Sequence, residues 1–255
     1  MTGRRNILGR ATRAALAASA VGALPPSAPS LASDHFGVLV VGATAGYRHD
    51  SIPAAIETIR QIGEESGAFG VTVLPEVSDL VALSTDMLTQ HSVAVFASTS
   101  GELPLDETQK AALLSFIEAG GGFIGIHSAT DTFYSWPEYG ELTGAYFREH
   151  PWTQEVRVTV EDATHPTTQM LPSTLTLTDE IYVFRSDVRA RPNTQVLMAL
   201  DASSVGAAGD FPLAWYTTYG AGRVLYNALG HFDAVWREPF FRAHLLAAIR
   251  WTAGR

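Results

Sequence analysis

FGVLVVGATAGYRHDSIPAAIETIRQIGEE, residues 36–65, sets the fold. Phe36 to Gly42 is a short continuous apolar run, the pattern of a strand covered on both faces. Ile52, Ala55, Ile56, Ile59 and Ile62 then recur at helical spacing. Ser51 is placed to cap that helix, and Pro53 suits its first turn. A buried strand that passes through a short loop into an amphipathic helix opens a strand–helix–strand unit, and such units build parallel sheets.

The same alternation continues downstream. Val71 to Leu74 reads as a second strand, Met87-Leu88 as part of a short helix, and Val93 to Ala97 as a third strand. Leu105 to Ala119 is an amphipathic helix closed by Gly120 to Gly122, and Phe123 to Ile126 is a fourth strand. The second half reads as short strands: Glu155 to Val160, Thr174 to Thr178, Ile181 to Phe184, Gln195 to Leu200, Leu213 to Thr217 and Arg223 to Asn227. Tyr219 to Gly222 links the last two as a hairpin turn, and Glu238 to Thr252 forms a closing helix. The expectation is one α/β domain over residues 34–255, with a mostly parallel sheet extended by antiparallel strands.

Residues 1–33 have the order of an export signal and linker. Arg4 and Arg5 are followed by an alanine-rich apolar stretch from Ala14 to Leu24, a Pro/Ser linker and a small-residue exit near Ala32. Paired arginines before Asn6-Ile7-Leu8 favour the twin-arginine route, which predicts a periplasmic or extracellular protein. The remaining chain has no apolar run long enough to span a membrane. Net charge is −9, and residues 1–33 contain four arginines and no acid, so the rest is more acidic still. Such a surface repels phosphate backbones and argues against nucleic-acid binding. With no cysteine in the chain, a thiol nucleophile is excluded.

Ligands of open parallel sheets bind at the carboxyl ends of the strands. Three polar loops belong there: Gly46 to Ser51, His127 to Trp136, and Gly230 to Asp233. Each contains a histidine and an aspartate within four residues, His49 with Asp50, His127 with Asp131, and His231 with Asp233. Imidazole and carboxylate side by side suit proton transfer near neutral pH. GGGFIGIHS superficially has the shape of a nucleophile elbow, but no serine or cysteine occupies the required place. Ser128 is a candidate hydrogen-bond donor. Gly120 to Gly122 read as a helix cap, not a phosphate loop, since no Lys-Ser/Thr follows.

Tyr134, Trp136, Tyr139, Tyr146, Phe147 and Trp152 crowd the stretch after His127. Aromatic faces beside carboxylates are how proteins grip sugar rings. About half of these rings are expected in the core, Tyr146 and Phe147 first. His49, His127, His150 and His231, beside Asp131 or Glu180, are candidate ligands of a divalent metal, although no two share a zinc-motif spacing. His35, His91, His165 and His244 read as structural or solvated. Asp179-Glu180 precedes the strand IYVF, where a carboxylate can point into the site.

The segments TAGYRHDSIPAAI, GGGFIGIHSATDTFYSWPEYGELTGAYFREHP, EDATHPTTQMLP, TDEIYVF and GAGRVLYNALGHFDAVWREPFFRAHLLAAIRWTAG together resemble the trehalose-utilisation (ThuA-like) family. The resemblance runs from about Phe36 to Gly254. It implies a flavodoxin-like three-layer sandwich similar to class I glutamine amidotransferases. His127 stands where those enzymes carry a cysteine, so glutamine hydrolysis is not implied. The resemblance implies a link to disaccharide catabolism through 3-keto sugars and a small carbohydrate ligand. Carried over by motif, its site positions are His49, Asp50, His127, Asp131, Tyr134, Trp136, His150, Glu180 and His231.

A 3-keto group acidifies the neighbouring C–H, so a base can remove that proton and the C1 oxygen can leave. His127 as base, Asp131 as its orienter or as acid, and His49 or His231 on the enolate would meet that need. Isomerisation or hydrolysis of an oxidised sugar would use the same groups. A two-carboxylate glycoside hydrolase and a non-catalytic sugar-binding protein are the alternatives.

Overall fold

The computed structural model describes residues 1–2 and 35–255. The expected export signal falls on residues 1–33 and so lies almost wholly outside the described residues. Within Asp34–Arg255, β1 (Phe36–Val41) leads into α1 (Ile52–Ser66) and back to β2 (Phe69–Leu74). A short α2 (Thr85–Thr89) precedes β3 (Val93–Ala97). Next, α3 (Glu107–Glu118) connects to β4 (Gly122–Ile126), and α4 (Pro137–Thr143) follows. The second half contains β5 (Phe147–Val160), β6 (Thr174–Phe184), β7 (Gln195–Leu200), β8 (Pro212–Tyr219) and β9 (Gly222–Asn227), then α5 (Asp233–Arg237) and α6 (Pro239–Thr252).

All nine described strands form one sheet, ordered β2-β1-β3-β4-β9-β8-β7-β5-β6. The first five in that order run parallel, and β8, β7, β5 and β6 extend the sheet antiparallel. The parallel block has the strand order of flavodoxin-like sheets, with the order reversing beside β1. This is the mostly parallel sheet with an antiparallel extension expected from the sequence. β3 and β4 are buried at every position, because helices cover both faces. Against the sheet, α1, α5 and α6 pack on one another, and α2 packs on α3.

Local chemistry explains the boundaries that differ from the expectation. α3 starts at Glu107, not Leu105, because Asp106 and Gln109 form a reciprocal capping box. Ser51 stands at the N-cap of α1, but its hydroxyl makes no capping bond. It donates instead to the Gly230 carbonyl at 3.0 Å and so ties the loop after β1 to the loop after β9.

The largest difference lies in the second half. Thr174 to Thr178 and Ile181 to Phe184 are one strand, β6, with Asp179 and Glu180 buried inside it. Its partner β5 begins at Phe147 and carries Pro151 in mid-strand. The ladder passes from Glu149↔Val183 to Trp152↔Ile181, so His150 and Pro151 together oppose Tyr182. That β-bulge is where a proline can sit in a sheet, and it re-aims the side chain beside it. Only Val158–Val160 pair with β7. The rest of β5 and β6 continues as a two-stranded ribbon, which brings Asp179, Glu180 and Tyr182 to the loops after β4 and β9.

Candidate metal centre

The site grows from a strained turn. β4 ends at Ile126, and His127 opens a single 3-10 turn, His127–Asp131, with φ at +51°. A non-glycine residue in the left-handed region is held there by its surroundings. Here the Tyr226 hydroxyl donates to the His127 carbonyl at 2.6 Å. The His127 ring lies 2.8 Å, through Nδ1, from the Ala228 carbonyl. A carbonyl only accepts, so Nδ1 carries the proton and Nε2 presents a lone pair. The turn has the strand-to-helix shape that presents a nucleophile in hydrolases, with an imidazole in that place.

Three other polar atoms crowd that lone pair. His49 Nε2 lies 3.1 Å from His127 Nε2. His231 Nδ1 lies 3.3 Å away, and Glu180 Oε2 lies 3.5 Å away. His231 Nδ1 is also 3.2 Å from Glu180 Oε2. All four candidate ligand atoms lie within 4.8 Å of one another. One lone pair cannot accept well from both facing imidazoles, and a carboxylate oxygen facing it is repelled unless a positive charge lies between them. A cation resolves both conflicts. Four ligands about 2.0–2.1 Å from a tetrahedral centre stand about 3.3–3.4 Å apart. Four of the six edges, at 3.1–3.5 Å, match that spacing. The donor set, three imidazoles and a carboxylate, suits a first-row divalent ion.

The surroundings are those of a ligand set. His127 gives its other N–H to a backbone carbonyl, which fixes its tautomer and orientation. Ser128 Oγ stands 3.3 Å from His49 Nδ1. Asp179 accepts from the backbone N–H of Gly230 at 2.7 Å and of His231 at 3.0 Å, locking the loop that carries His231. The Gly230 carbonyl receives Trp236 Nε1 at 2.9 Å as well as Ser51.

Electrostatics agree with the geometry. Burial, helped by the facing His127 and His231, lowers the His49 pKa to about 3, so the ring stays neutral and its lone pair stays available. Burial alone would raise the Glu180 carboxyl. The facing His127 and His231 imidazoles outweigh it and hold Glu180 well below the usual carboxylate range. Its hydrogen bond to Glu180 raises His231 against the opposing effect of burial. Burial also raises Asp179 and Asp131.

The structure therefore brings together His49, His127, His231 and Glu180. His150, expected as another imidazole of the set, stands outside it on the ribbon. Its Nδ1 is 3.2 Å from the other Glu180 oxygen, Oε1, and its side chain is half exposed. Its ring stacks at 5.8 Å on Phe147. His127 is fully buried with both nitrogens engaged, so it is placed as a holding group and not as a solvent-facing base. Asp131 accepts from the Tyr134 hydroxyl at 2.6 Å, and Arg185 covers the Tyr134 ring at 4.0 Å. Asp50 is exposed and opens onto a cleft beside His231. Trp136 is not at the imidazoles; it is buried and stacked on the fully buried Tyr139. Tyr146 and Phe147, expected in the core, are only partly buried, and Phe147 flanks His150.

Sequence reasoning missed Asp179 as a loop anchor and Tyr182, whose ring lies 4.4 Å from that of His127. The available signal was the unbroken β-pattern from Leu175 to Phe184, which would have put both acids inside a strand.

Comparisons with known proteins agree with this architecture. A family model described as ThuA, trehalose utilisation, matches residues 37–252. No curated protein matches the chain in sequence. A ThuA-like protein from Bacteroides uniformis is similar in structure, with a TM-score of 0.73 and 22% identity over 89% of this chain and 95% of that one. Another from Parabacteroides merdae gives a TM-score of 0.69 at 21% identity, over 86% and 90%. A GMP synthase component from Thermoplasma acidophilum shares the fold at a TM-score of 0.51 and 11% identity, over 86% and 94%. The match across nearly the whole described sheet places this chain in the ThuA family of trehalose utilisation.

Proposed function

We propose that the protein holds a divalent cation through His49, His127, His231 and Glu180 and acts on an oxidised, 3-keto disaccharide or glycoside. The observation that carries this reading is the convergence of three imidazole nitrogens and one carboxylate oxygen within 4.8 Å of one another, four of the six edges being 3.1–3.5 Å. Membership of a trehalose-utilisation family supports a sugar as substrate. When bound, such an ion supplies Lewis acidity, polarising a sugar oxygen and stabilising the charge that develops on it.

The chain's own groups cover the proton transfers. His150 is the accessible imidazole, oriented by Glu180 Oε1 at 3.2 Å, and takes the proton from the carbon beside the keto group. The electron pair of that C–H bond passes to the carbonyl oxygen as an enolate, then returns to form a C1=C2 double bond and restore the carbonyl as the C1–O bond breaks. Asp131, whose carboxyl is raised by burial and steadied by Tyr134, gives a proton to the departing oxygen. His127 and His49 are buried and serve to hold and to exclude water.

The test combines metal analysis with NMR of the purified full chain incubated with 3-keto and ordinary disaccharides. Stoichiometric uptake of zinc or manganese, with turnover of keto-sugars alone and loss of turnover in chelator, is the expected result. Cleavage of an unoxidised disaccharide without metal would replace this reading with a two-carboxylate hydrolase. Sugar binding without conversion of any sugar, in metal-loaded protein, would replace it with a non-catalytic binding role.

A further inference from the structure

Among the described residues, only two Phe, Tyr or Trp side chains are exposed, Tyr47 at 65% and Phe232 at 36%. Both line one cleft of about 540 Å³, with Asp50, Ser51, Thr178, His231 and Asp233. The rings come from different loops, after β1 and after β9, yet each leans on a metal-centre imidazole. Tyr47 meets His49 edge-on at 4.8 Å, and Phe232 meets His231 edge-on at 4.6 Å. His49 and His231 are themselves 5.3 Å apart, ring to ring. The cleft thus opens directly from one side of the centre.

Exposed rings are unfavourable in water, and two of them sharing a concave surface mark a ligand site. We infer that this cleft is the subsite for the second, non-reacting ring of a neutral disaccharide, with Tyr47 and Phe232 as its apolar walls. The inference rests on the proposed metal-centred sugar reading and assigns the part of the substrate that does not react. Amphipathic rings of the pyranose kind present C–H faces to aromatic walls and hydroxyls to the rim. Asp50 suits those hydroxyls, because among the described residues no hydrogen bond occupies its carboxylate. Charge selects further. Arg237 is paired with Asp233 at 3.2 Å, and among the described residues no arginine or lysine forms a salt bridge with Asp50 in the cleft. A phosphorylated sugar is repelled there, so the site favours an uncharged glycoside over a sugar phosphate.

Saturation-transfer NMR on the zinc-loaded full chain tests this, with trehalose, trehalose 6-phosphate and glucose as probes. Trehalose is expected to receive saturation on the C–H face of its rings, and the phosphate ester much less. The doubly substituted Tyr47→Ala/Phe232→Ala chain should lose the trehalose signal, Tyr47→Phe should keep it, and Asp50→Asn should restore the phosphate ester. In turnover of a keto-disaccharide, the double variant should raise KM about tenfold or more with kcat within about twofold, the mark of lost uniform binding. Undiminished saturation and unchanged KM in the double variant would overturn the subsite while leaving the metal-centred function intact. A chain that takes up no zinc and converts no sugar, yet loses trehalose saturation only in the ring variants, would keep the subsite and remove the function proposed above.

Discussion

Two groups of buried imidazoles occupy this molecule, and they differ in what their second nitrogens face. At the carboxyl end of the parallel strands, His49, His127 and His231 turn nitrogens on one another and on Glu180. The other group is His165 and His244. There, His244 Nδ1 reaches the Thr167 carbonyl, and His165 Nδ1 reaches the Thr167 hydroxyl, each at 2.8 Å. The His165 ring stacks on Tyr216 at 4.3 Å, with Trp251 edge-on at 4.8 Å. Both Nε2 atoms are buried without a hydrogen-bond partner. Burial lowers the pKa in both regions, to about 3 for His49 and about 4 for His244. Neutrality alone therefore does not make a ligand. The difference is a carboxylate oxygen facing the ring nitrogens and lone pairs that converge, and those features make one group the candidate binding centre and leave the other as core.

Removing one member of each group tests the contrast most directly. His127→Ala should abolish stoichiometric cation uptake, read by metal analysis after dialysis, and with it the thermal stabilisation that a bound ion confers. Saturation at about 100 times Kd is worth about 2.7 kcal/mol of folding stability. His244→Gln should leave uptake at the wild-type stoichiometry. Equal losses in the two variants would show that the groups do not differ as described. A smaller effect is expected just outside the ligands. Asp179→Ala removes the acceptor of the Gly230 and His231 N–H groups, frees the loop that aims His231, and should weaken cation affinity about 10–100-fold in calorimetric titration. Unchanged affinity there would make Asp179 a fold residue only.

The same contrast explains what the sequence made legible. The parallel half announces itself, because strands buried on both faces are continuous apolar runs and the helices between them keep their period. Three of the four clustered groups, His49, His127 and His231, follow from topology, since each sits just past a strand that ends at one edge. Glu180 was harder to place. It belongs to a ribbon whose reach depends on a bulge opposite Tyr182 and on β5 pairing with β7 over three residues only. Neither a bulge nor a register is written in residue pattern. Trp136 was misleading for a related reason, because an aromatic in a loop beside the site carries no sign of which way it turns. His165 and His244 read correctly as structural, one before a proline and one on an apolar helix face.

The smallest expected effect concerns acid stability, and it separates the two groups without reference to activity. His244 titrates near 6.5 when unfolded and near 4 when folded, because burial penalises its charged form. The unfolded chain therefore takes the proton first, and stability falls as pH drops through 6.5 and levels off below about 4. Between pH 7 and pH 5.5 this one group should cost about 1 kcal/mol, so His244→Gln should flatten the pH dependence of the urea midpoint by about that amount. Among the described residues the two groups share no hydrogen-bonding partner, so the flattening should be the same with cation and with chelator. His49 lies in the same pH window but must exchange its proton against the ion, so its share should change when the cation is added. A flattening by His244→Gln that appears only in the metal-loaded protein would mean that the two regions are energetically coupled, and the distinction between centre and core would fail.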